Sequence, residues 1–152
     1  MDDFSRPLKK RGRRAAKQMG RWLVKQQLIP DIILSSPATR ALATAQRVCK
    51  QLGMDESAII CDPRIYEADA QTLLALLKVR RDERRVLLVG HNPGLEDLLL
   101  KLTPNSIPLA ANGKYLPTAA LAHLVFVGDW IGLAEGSAKL VTLIRPDSLP
   151  EH

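Results

Sequence analysis

The stretch DIILSSPATR, residues 31–40, decides the fold of this 152-residue chain. Residues 31–35 form a short apolar run rich in β-branched side chains, which is typical of a buried strand. Ser36 and Pro37 follow at once, and they predict a helix N-cap and a proline at the first helical position. A strand that passes through a short loop into a helix is the building unit of a parallel α/β fold.

The same alternation of strand and helix patterns continues through the first two-thirds of the chain. Helices are predicted over residues 8–27, 37–52, 72–77 and 95–102, with Gly53 as a left-handed C-cap and with Asp69 and Asn92 (before Pro93) as N-caps. The other strands are predicted at residues 58–61, 86–89, 121–127 and 139–144, and the apolar run 86–89 is of the kind buried on both faces. We therefore expect a three-layer α/β/α sandwich with a mostly parallel central sheet, built as a single domain of residues 1–152.

Composition excludes several other classes of protein. With 46% hydrophobic and 25% charged residues, the chain is globular rather than disordered. Cys49 and Cys61 are expected to be small core residues, His123 is expected to be structural, and the spacing of cysteines and histidines predicts neither a metal site nor a cofactor. No apolar run approaches the ~20 residues that cross a bilayer, and the acidic start argues against a leader sequence, so we expect a cytoplasmic protein that does not bind membranes.

The net charge of +6 is concentrated near the start of the chain. Residues 1–30 hold nine Lys and Arg against two Asp, a net +7, so the remainder carries −1. Such a basic helix is typical of a surface that binds nucleic acid or an acidic partner, and the alternative is a helix face that is only solvated. Nucleic acid is the less favoured partner because no aromatic residues interleave with the charges to stack on bases.

Two loops have the form of an anion site. In an open parallel sheet, ligands bind where strands end and helices begin, because helix N-termini present unpaired N–H groups. Arg40 lies in the first turn of the helix after the strand at 31–35, and His91 directly follows the strand at 86–89 within GHNPG, residues 90–94. An Arg fork matches phosphate, and a His can donate to an anion or transfer a proton. The residues alone predict phosphate or carboxylate binding, with a surface arginine and a structural histidine as the alternatives.

Four motifs in order resemble a known family. SSPATRALATA (residues 35–45) and VGHNP (residues 89–93) are similar to two motifs of the histidine phosphatase superfamily, which has the phosphoglycerate mutase-like fold. RPLKKRG (residues 6–12) resembles the entry to that family's first helix, and IYEA (residues 65–68) resembles the segment that carries its acid. The compact length resembles the SixA-like phosphohistidine phosphatases more than the mutases.

This resemblance implies roles for four residues. Arg40 matches the second phosphate-binding arginine, and His91 matches the second histidine, which donates a hydrogen bond to the phosphoryl oxygen. Arg6 matches an arginine close to the phosphate pocket of SixA-like members, with a helix-entry charge as its alternative. Glu67 matches the region of the proton donor, which an ester substrate needs and a phosphohistidine substrate needs less. Glu67 is therefore either a general acid or only a cap for the next helix.

The sequence departs from the family at the nucleophile. Family members attack with the histidine of an Arg-His-Gly or Arg-His-Ala motif, which ends their first strand. Residues 1–152 contain no such motif, and no strand pattern precedes the helix that starts near Leu8. Either Met1 is an internal methionine and the native protein has roughly 15 to 20 more residues, or the short chain is native. We favour the first explanation because loss of a central strand would leave backbone groups unpaired.

Two functions follow from the resemblance. The first is a metal-independent phosphatase that removes phosphate from phosphohistidine on a protein or from a small ester, through a phosphohistidine intermediate. The second is a pseudophosphatase that binds phosphate or a phosphoprotein without turnover. A site with no large insertion over it suits a protein substrate better than a small metabolite. The sequence leaves the substrate and the oligomeric state open.

Overall fold

The computed structural model describes residues 2–104 and 120–145. Its helices are α1 (Lys10–Lys25), α2 (Thr39–Leu52), α3 (Ala70–Lys78) and α4 (Gly94–Leu102), and its strands are β1 (Ile32–Ser35), β2 (Ile59–Cys61), β3 (Val86–Val89), β4 (Leu121–Phe126) and β5 (Ala138–Ile144). The described chain divides into two compact units, residues 2–66 with 83–90, and residues 67–82 with 91–104 and 120–145.

A three-stranded parallel sheet forms the centre of the first unit. β1 lies in the middle, with β2 on one side and β3 on the other. Ile33 of β1 is paired with Ile59 and with Leu87, and its side chain is fully buried. The mixed α/β class with a parallel sheet is thus confirmed, and β1 is its central strand.

The outer strands are less buried than the sequence predicts. All four residues of β3 are half-buried, whereas the continuous apolar run predicts burial on both faces. The physical reason is that β3 pairs only with β1 among the described residues, so one of its edges has no strand beside it there. On the other side of β1, Ile60 of β2 is 41% exposed.

Backbone hydrogen bonds at two serines connect the carboxyl ends of the three strands. The backbone N–H of Ser36 donates to the carbonyl oxygen of Val89 at 3.0 Å, and the N–H of Asp62 donates to the carbonyl oxygen of Ser35 at 3.0 Å. Both serines are fully buried. These bonds fix the loop between β1 and α2, and therefore the place where the first turn of α2 begins.

Helices α1 and α2 pack against each other in the same unit. The buried face of α1 consists of Ala15, Ala16, Met19, Gly20 and Leu23. A Cβ atom at Gly20 would lie 2.6 Å from Cβ of Gln51 on α2, so the small side chains allow the two helices to approach closely. Apolar residues of the sequence at three- and four-residue intervals predict this face, with the difference that the predicted Trp22 is only half-buried.

The second unit combines α3 and α4 with a two-stranded antiparallel sheet of β4 and β5. The predicted cap of α3 is confirmed, because the carboxylate of Asp69 accepts a hydrogen bond from the N–H of Thr72 at 2.8 Å. Leucines of both helices are buried in this unit: Leu73, Leu76, Leu77, Leu98, Leu99 and Leu102. His123 lies within β4, opposite Thr142, as expected for a residue of a strand.

Within residues 2–104 and 120–145, the structure contains no helix long and apolar enough to cross a membrane.

Candidate active site

Arg40 is the second residue of α2, where the sequence places it, but the start of this helix differs from the prediction. The residue at the N-cap is Ala38, and the helix begins at Thr39 rather than at Pro37. Ser36, the predicted cap, instead accepts a hydrogen bond from the N–H of Ala38 at 3.2 Å. The prediction that Ser36 is the N-cap is therefore wrong, because a residue far away in the chain accepts a hydrogen bond from the first turn. The N–H of Thr39 donates to the carbonyl oxygen of Phe4 at 3.0 Å, so the segment before α1 satisfies it.

The two predicted substrate-binding arginines meet at one carboxylate. Nη1 of Arg40 donates to the carbonyl oxygen of Asp3 at 2.7 Å, and Nη2 of Arg40 donates to Oδ2 of Asp3 at 3.2 Å. Nη2 of Arg6 lies 3.1 Å from Oδ1 of the same side chain. Each arginine thus contacts one oxygen of a single anion, and such charge-assisted contacts are of the kind that arginine also makes with phosphate.

A tyrosine completes this cluster. The hydroxyl of Tyr66 donates to Oδ2 of Asp3 at 2.7 Å, and its ring makes an edge contact with Phe4, with the ring centroids 5.1 Å apart. Sequence reasoning did not find Asp3 or Tyr66. The one available signal was the position of Tyr66 inside the IYEA segment, residues 65–68. We call Asp3, Arg6, Arg40 and Tyr66 the Asp3 cluster.

The pKa of Asp3 is lowered from the ordinary value of 3.8, first by the hydrogen bond from Tyr66 and then by Arg40 and Arg6. A carboxyl whose pKa is lower in the folded state stabilises the protein above the unfolded pKa. This contribution is lost as the pH falls below 3.8 and through the lowered value. At neutral pH the Asp3 cluster therefore contains a fully charged carboxylate.

Asp3→Asn tests this linkage, because the amide cannot ionise. We expect the melting temperature of the wild-type chain to exceed that of Asp3→Asn near pH 7, and the difference to vanish below the lowered pKa. Thermal unfolding followed by circular dichroism from pH 7 down to about pH 2 measures this difference. Asp55 and Asp69 have lowered pKa values in both proteins, so their effects cancel. A difference independent of pH would contradict the linkage.

His91 lies just before α4, in the second unit. Its carbonyl oxygen accepts a hydrogen bond from the N–H of Leu95 at 3.0 Å, so the chain turns into the helix at this residue. The predicted cap at Asn92 is wrong, because the N-cap residue of α4 is Pro93, which makes no side-chain cap hydrogen bond. The N–H groups of Leu95 and Asp97 donate to the carbonyl oxygens of His91 and Pro93, four residues earlier, as in a regular helical turn.

Glu67 is exposed and has a left-handed backbone conformation, with φ of 56°. It does not cap α3, because Asp69 does, so the cap alternative for Glu67 is wrong. A Cβ atom at Gly94, the first residue of α4, would overlap the carbonyl oxygen of Ala68. The second unit therefore brings the segment that carries Glu67 against the start of the helix that follows His91.

The cysteines separate into a buried and an exposed residue. Cys49 is fully buried, and burial raises the pKa of its thiol. Cys61 is exposed, which corrects the expectation that it lies in the core; it ends β2, an outer strand of the sheet as described. Among residues 2–104 and 120–145, no three His, Cys, Asp or Glu side chains are grouped so that they could hold a metal ion.

Comparison with known proteins identifies the family. Residues 5–76 match the model of the histidine phosphatase superfamily, branch 1. Over 159 aligned residues the chain is 30% identical to an uncharacterised chloroplastic protein of Arabidopsis thaliana, covering 96% of this chain and 70% of that protein. The chain belongs to the histidine phosphatase superfamily.

Within this family the chain is similar to solved SixA structures. It is 28% identical to a protein assigned as the phosphohistidine phosphatase SixA of Agrobacterium tumefaciens, with a TM-score of 0.79, covering 96% of this chain and 87% of that one. It is 25% identical to a protein of Nakamurella multipartitia that is also assigned as the phosphohistidine phosphatase SixA, with a TM-score of 0.80, covering 96% of this chain and 88% of that one. The protein histidine phosphatase SixA in complex with tungstate shares the fold, with a TM-score of 0.79 at 24% identity over 97% of this chain and 88% of that one. The SixA-like, phosphoglycerate mutase-like fold is thereby confirmed.

Proposed function

We propose that this protein is a metal-independent phosphatase of the SixA-like branch, which removes phosphate from phosphohistidine on a protein or from a small phosphate ester. One observation carries the proposal: Arg6 and Arg40 hold the two oxygens of a single anion, the carboxylate of Asp3. Arginines placed to share one anion also suit a phosphoryl group, whose non-bridging oxygens accept the same kind of charge-assisted hydrogen bond. Family membership supports this reaction class.

The proposed roles differ among the four site residues. Arg40 binds non-bridging oxygens with its planar fork and offsets the negative charge that develops during transfer. Arg6 adds a second cation beside it. His91 donates a hydrogen bond to a phosphoryl oxygen rather than attacking phosphorus. Glu67 acts as the general acid when the leaving group is an alkoxide, and an imidazole leaving group needs this help less.

The reaction follows two steps in this proposal. A histidine nitrogen attacks phosphorus, the bond to the leaving group breaks, and a phosphohistidine intermediate forms. Water then attacks phosphorus, which releases inorganic phosphate and restores the histidine. Residues 1–152 contain no Arg-His-Gly or Arg-His-Ala sequence, so the proposal assigns the nucleophile to a segment outside them. A strand added along the edge of β3 that has no neighbouring strand among residues 2–104 and 120–145 would also pair the backbone groups of that half-buried strand.

The test compares residues 1–152 with a version that begins at the next in-frame start upstream. We expect the longer version to release phosphate from a phosphohistidine peptide, and residues 1–152 to release none. Para-nitrophenyl phosphate in the same assay distinguishes an ester phosphatase from a phosphohistidine phosphatase. Phosphate release by residues 1–152 would refute the assignment of the nucleophile to a segment outside them. If neither version releases phosphate, the proposal that the protein is a phosphatase is wrong.

The alternative is a pseudophosphatase that binds phosphate or a phosphoprotein without turnover. The same Asp3 cluster favours it, because anion binding by two arginines needs no nucleophile. It predicts measurable binding of inorganic phosphate that weakens in Arg40→Ala, with no phosphate release by either version of the chain. Location in the cytoplasm, a phosphorylated protein as partner and the absence of a cofactor remain predictions.

A further inference from the structure

Helix α1 carries a straight row of positive charge on its solvent side. At 3.6 residues per turn, the side chains of residues 10, 14, 17, 21 and 25 fall within an arc of about 80°. These residues are Lys10, Arg14, Lys17, Arg21 and Lys25, and all five are exposed. With a rise of 1.5 Å per residue, the row is about 22 Å long, with about 4.5–6 Å between neighbouring positions. We call it the α1 basic row.

The rest of the helix fixes this row to the domain. The buried residues of α1, centred on Met19, lie about 180° around the helix from the row. They pack on α2, where Gly20 approaches Gln51 closely. The α1 basic row is therefore held on a supported helix and points directly away from the core.

The row has no compensating negative charge in the described structure. Helix α1 contains no acidic residue, and the ion pairs within residues 2–104 and 120–145 involve none of the five side chains. Like charges three and four residues apart repel each other and destabilise a helix. Because the sequence beyond residue 30 carries a net −1, the net positive charge of the protein comes from residues 1–30, which include this helix.

We propose that the α1 basic row is a docking surface for an acidic face of a partner protein. Carboxylates three and four residues apart on an acidic helix are spaced like the cations of the row, so each cation can face one carboxylate. Single-stranded nucleic acid is disfavoured because no aromatic side chain lies in the row to stack on bases. The inference does not rest on the phosphatase reaction, since binding is measured without turnover.

The experiment measures binding of fluorescein-labelled poly-L-glutamate of about 50 residues by fluorescence anisotropy at about 50 mM salt. The double variant Lys17→Glu/Arg21→Glu reverses two charges at the centre of the row. Arg47→Glu/Lys50→Glu is the matched control, because it changes the net charge equally at exposed positions of α2. Lys17→Gln/Arg21→Gln removes the charges without reversing them, and circular dichroism checks that each variant is folded.

We expect the wild-type chain to bind poly-L-glutamate and added salt to weaken the binding. Affinity should fall about ten-fold or more in Lys17→Glu/Arg21→Glu, by an intermediate factor in Lys17→Gln/Arg21→Gln and less than about two-fold in the control. An equal loss in the control, or no binding by the wild type, would overturn the proposal. Tighter binding of a duplex DNA of about 20 base pairs, lost in the row variants, would replace the acidic protein by nucleic acid as the partner.

Discussion

Arg40→Ala is expected to weaken the binding of tungstate or inorganic phosphate by about 30- to 100-fold. The guanidinium donates two hydrogen bonds to Asp3, one to the carbonyl oxygen and one to the carboxylate, so its planar fork already faces an anion. Loss of one hydrogen bond from a charged group costs about 1.5–3 kcal/mol, and 1.4 kcal/mol corresponds to ten-fold in affinity, so the expected factor is that of one such bond to the ligand. Isothermal titration calorimetry of the wild-type chain and the variant measures the loss.

Arg47→Ala is the control for this measurement, because Arg47 is an exposed arginine of the same helix seven residues further on. It removes the same charge, and we expect a change of less than about two-fold. Arg40→Lys retains the charge but not the planar fork, so its affinity for the anion should lie between those of Arg40→Ala and Arg47→Ala. If Arg40→Ala binds the anion no worse than Arg47→Ala does, Arg40 does not bind substrate.

Gly94→Ala is expected to destabilise the protein by about 1–3 kcal/mol, the cost of forcing a methyl group into a packed site. The added Cβ would overlap the carbonyl oxygen of Ala68, which belongs to the backbone and cannot rotate away. The start of α4 must then move off the segment that carries Glu67. Urea denaturation followed by circular dichroism gives the change in the free energy of unfolding.

Gly132→Ala provides the matched comparison for Gly94→Ala. Among residues 2–104 and 120–145, no atom other than those of its chain neighbours lies within 4 Å of a Cβ placed at Gly132, so the substitution fits there without displacement. We expect it to leave the free energy of unfolding unchanged or to raise it by about 0.4–1 kcal/mol, because alanine restricts the unfolded chain. Equal stability of the two variants would show that the contact between Gly94 and Ala68 does not constrain α4.

Local signals in the sequence predicted the elements whose causes are local. The apolar run at 31–35 is β1, Gly53 has the left-handed conformation of a C-cap with φ of 71°, and Asp69 caps α3. In each case the side chain or the glycine acts on backbone within a few residues. The periodicity of α1 likewise predicted its buried face, because that face depends only on the helical repeat.

The predictions from sequence are wrong where a residue's hydrogen-bond partner lies far away in the chain. Ser36 does not cap α2, because the carbonyl of Phe4 accepts from the first turn instead. The Asp3 cluster was missed for the same reason, since Asp3 is 37 residues from Arg40 and 63 residues from Tyr66. No spacing rule links residues so far apart. Cys61 was placed in the core on residue type alone, but an outer strand leaves it exposed.

The candidate site was predicted in part. Arg40 and Arg6 were named from the motifs, and the structure brings both to one anion. In the folded chain both arginines already contact an anion, the carboxylate of Asp3. A phosphoryl group that binds the same arginines must compete with this carboxylate. The negative charge of Asp3 also reduces the net positive charge that the two arginines present to a substrate.

The most direct test of the phosphatase is the release of inorganic phosphate from a phosphohistidine peptide by the chain extended to its upstream in-frame start. Wild-type and Arg40→Ala forms of the extended chain are compared at equal concentration, with Arg47→Ala as control. We predict phosphate release by the wild type and by Arg47→Ala, and a rate lower by about 10²-fold or more in Arg40→Ala. No release by the extended wild type, or equal rates in all three forms, would contradict a phosphatase built on Arg40.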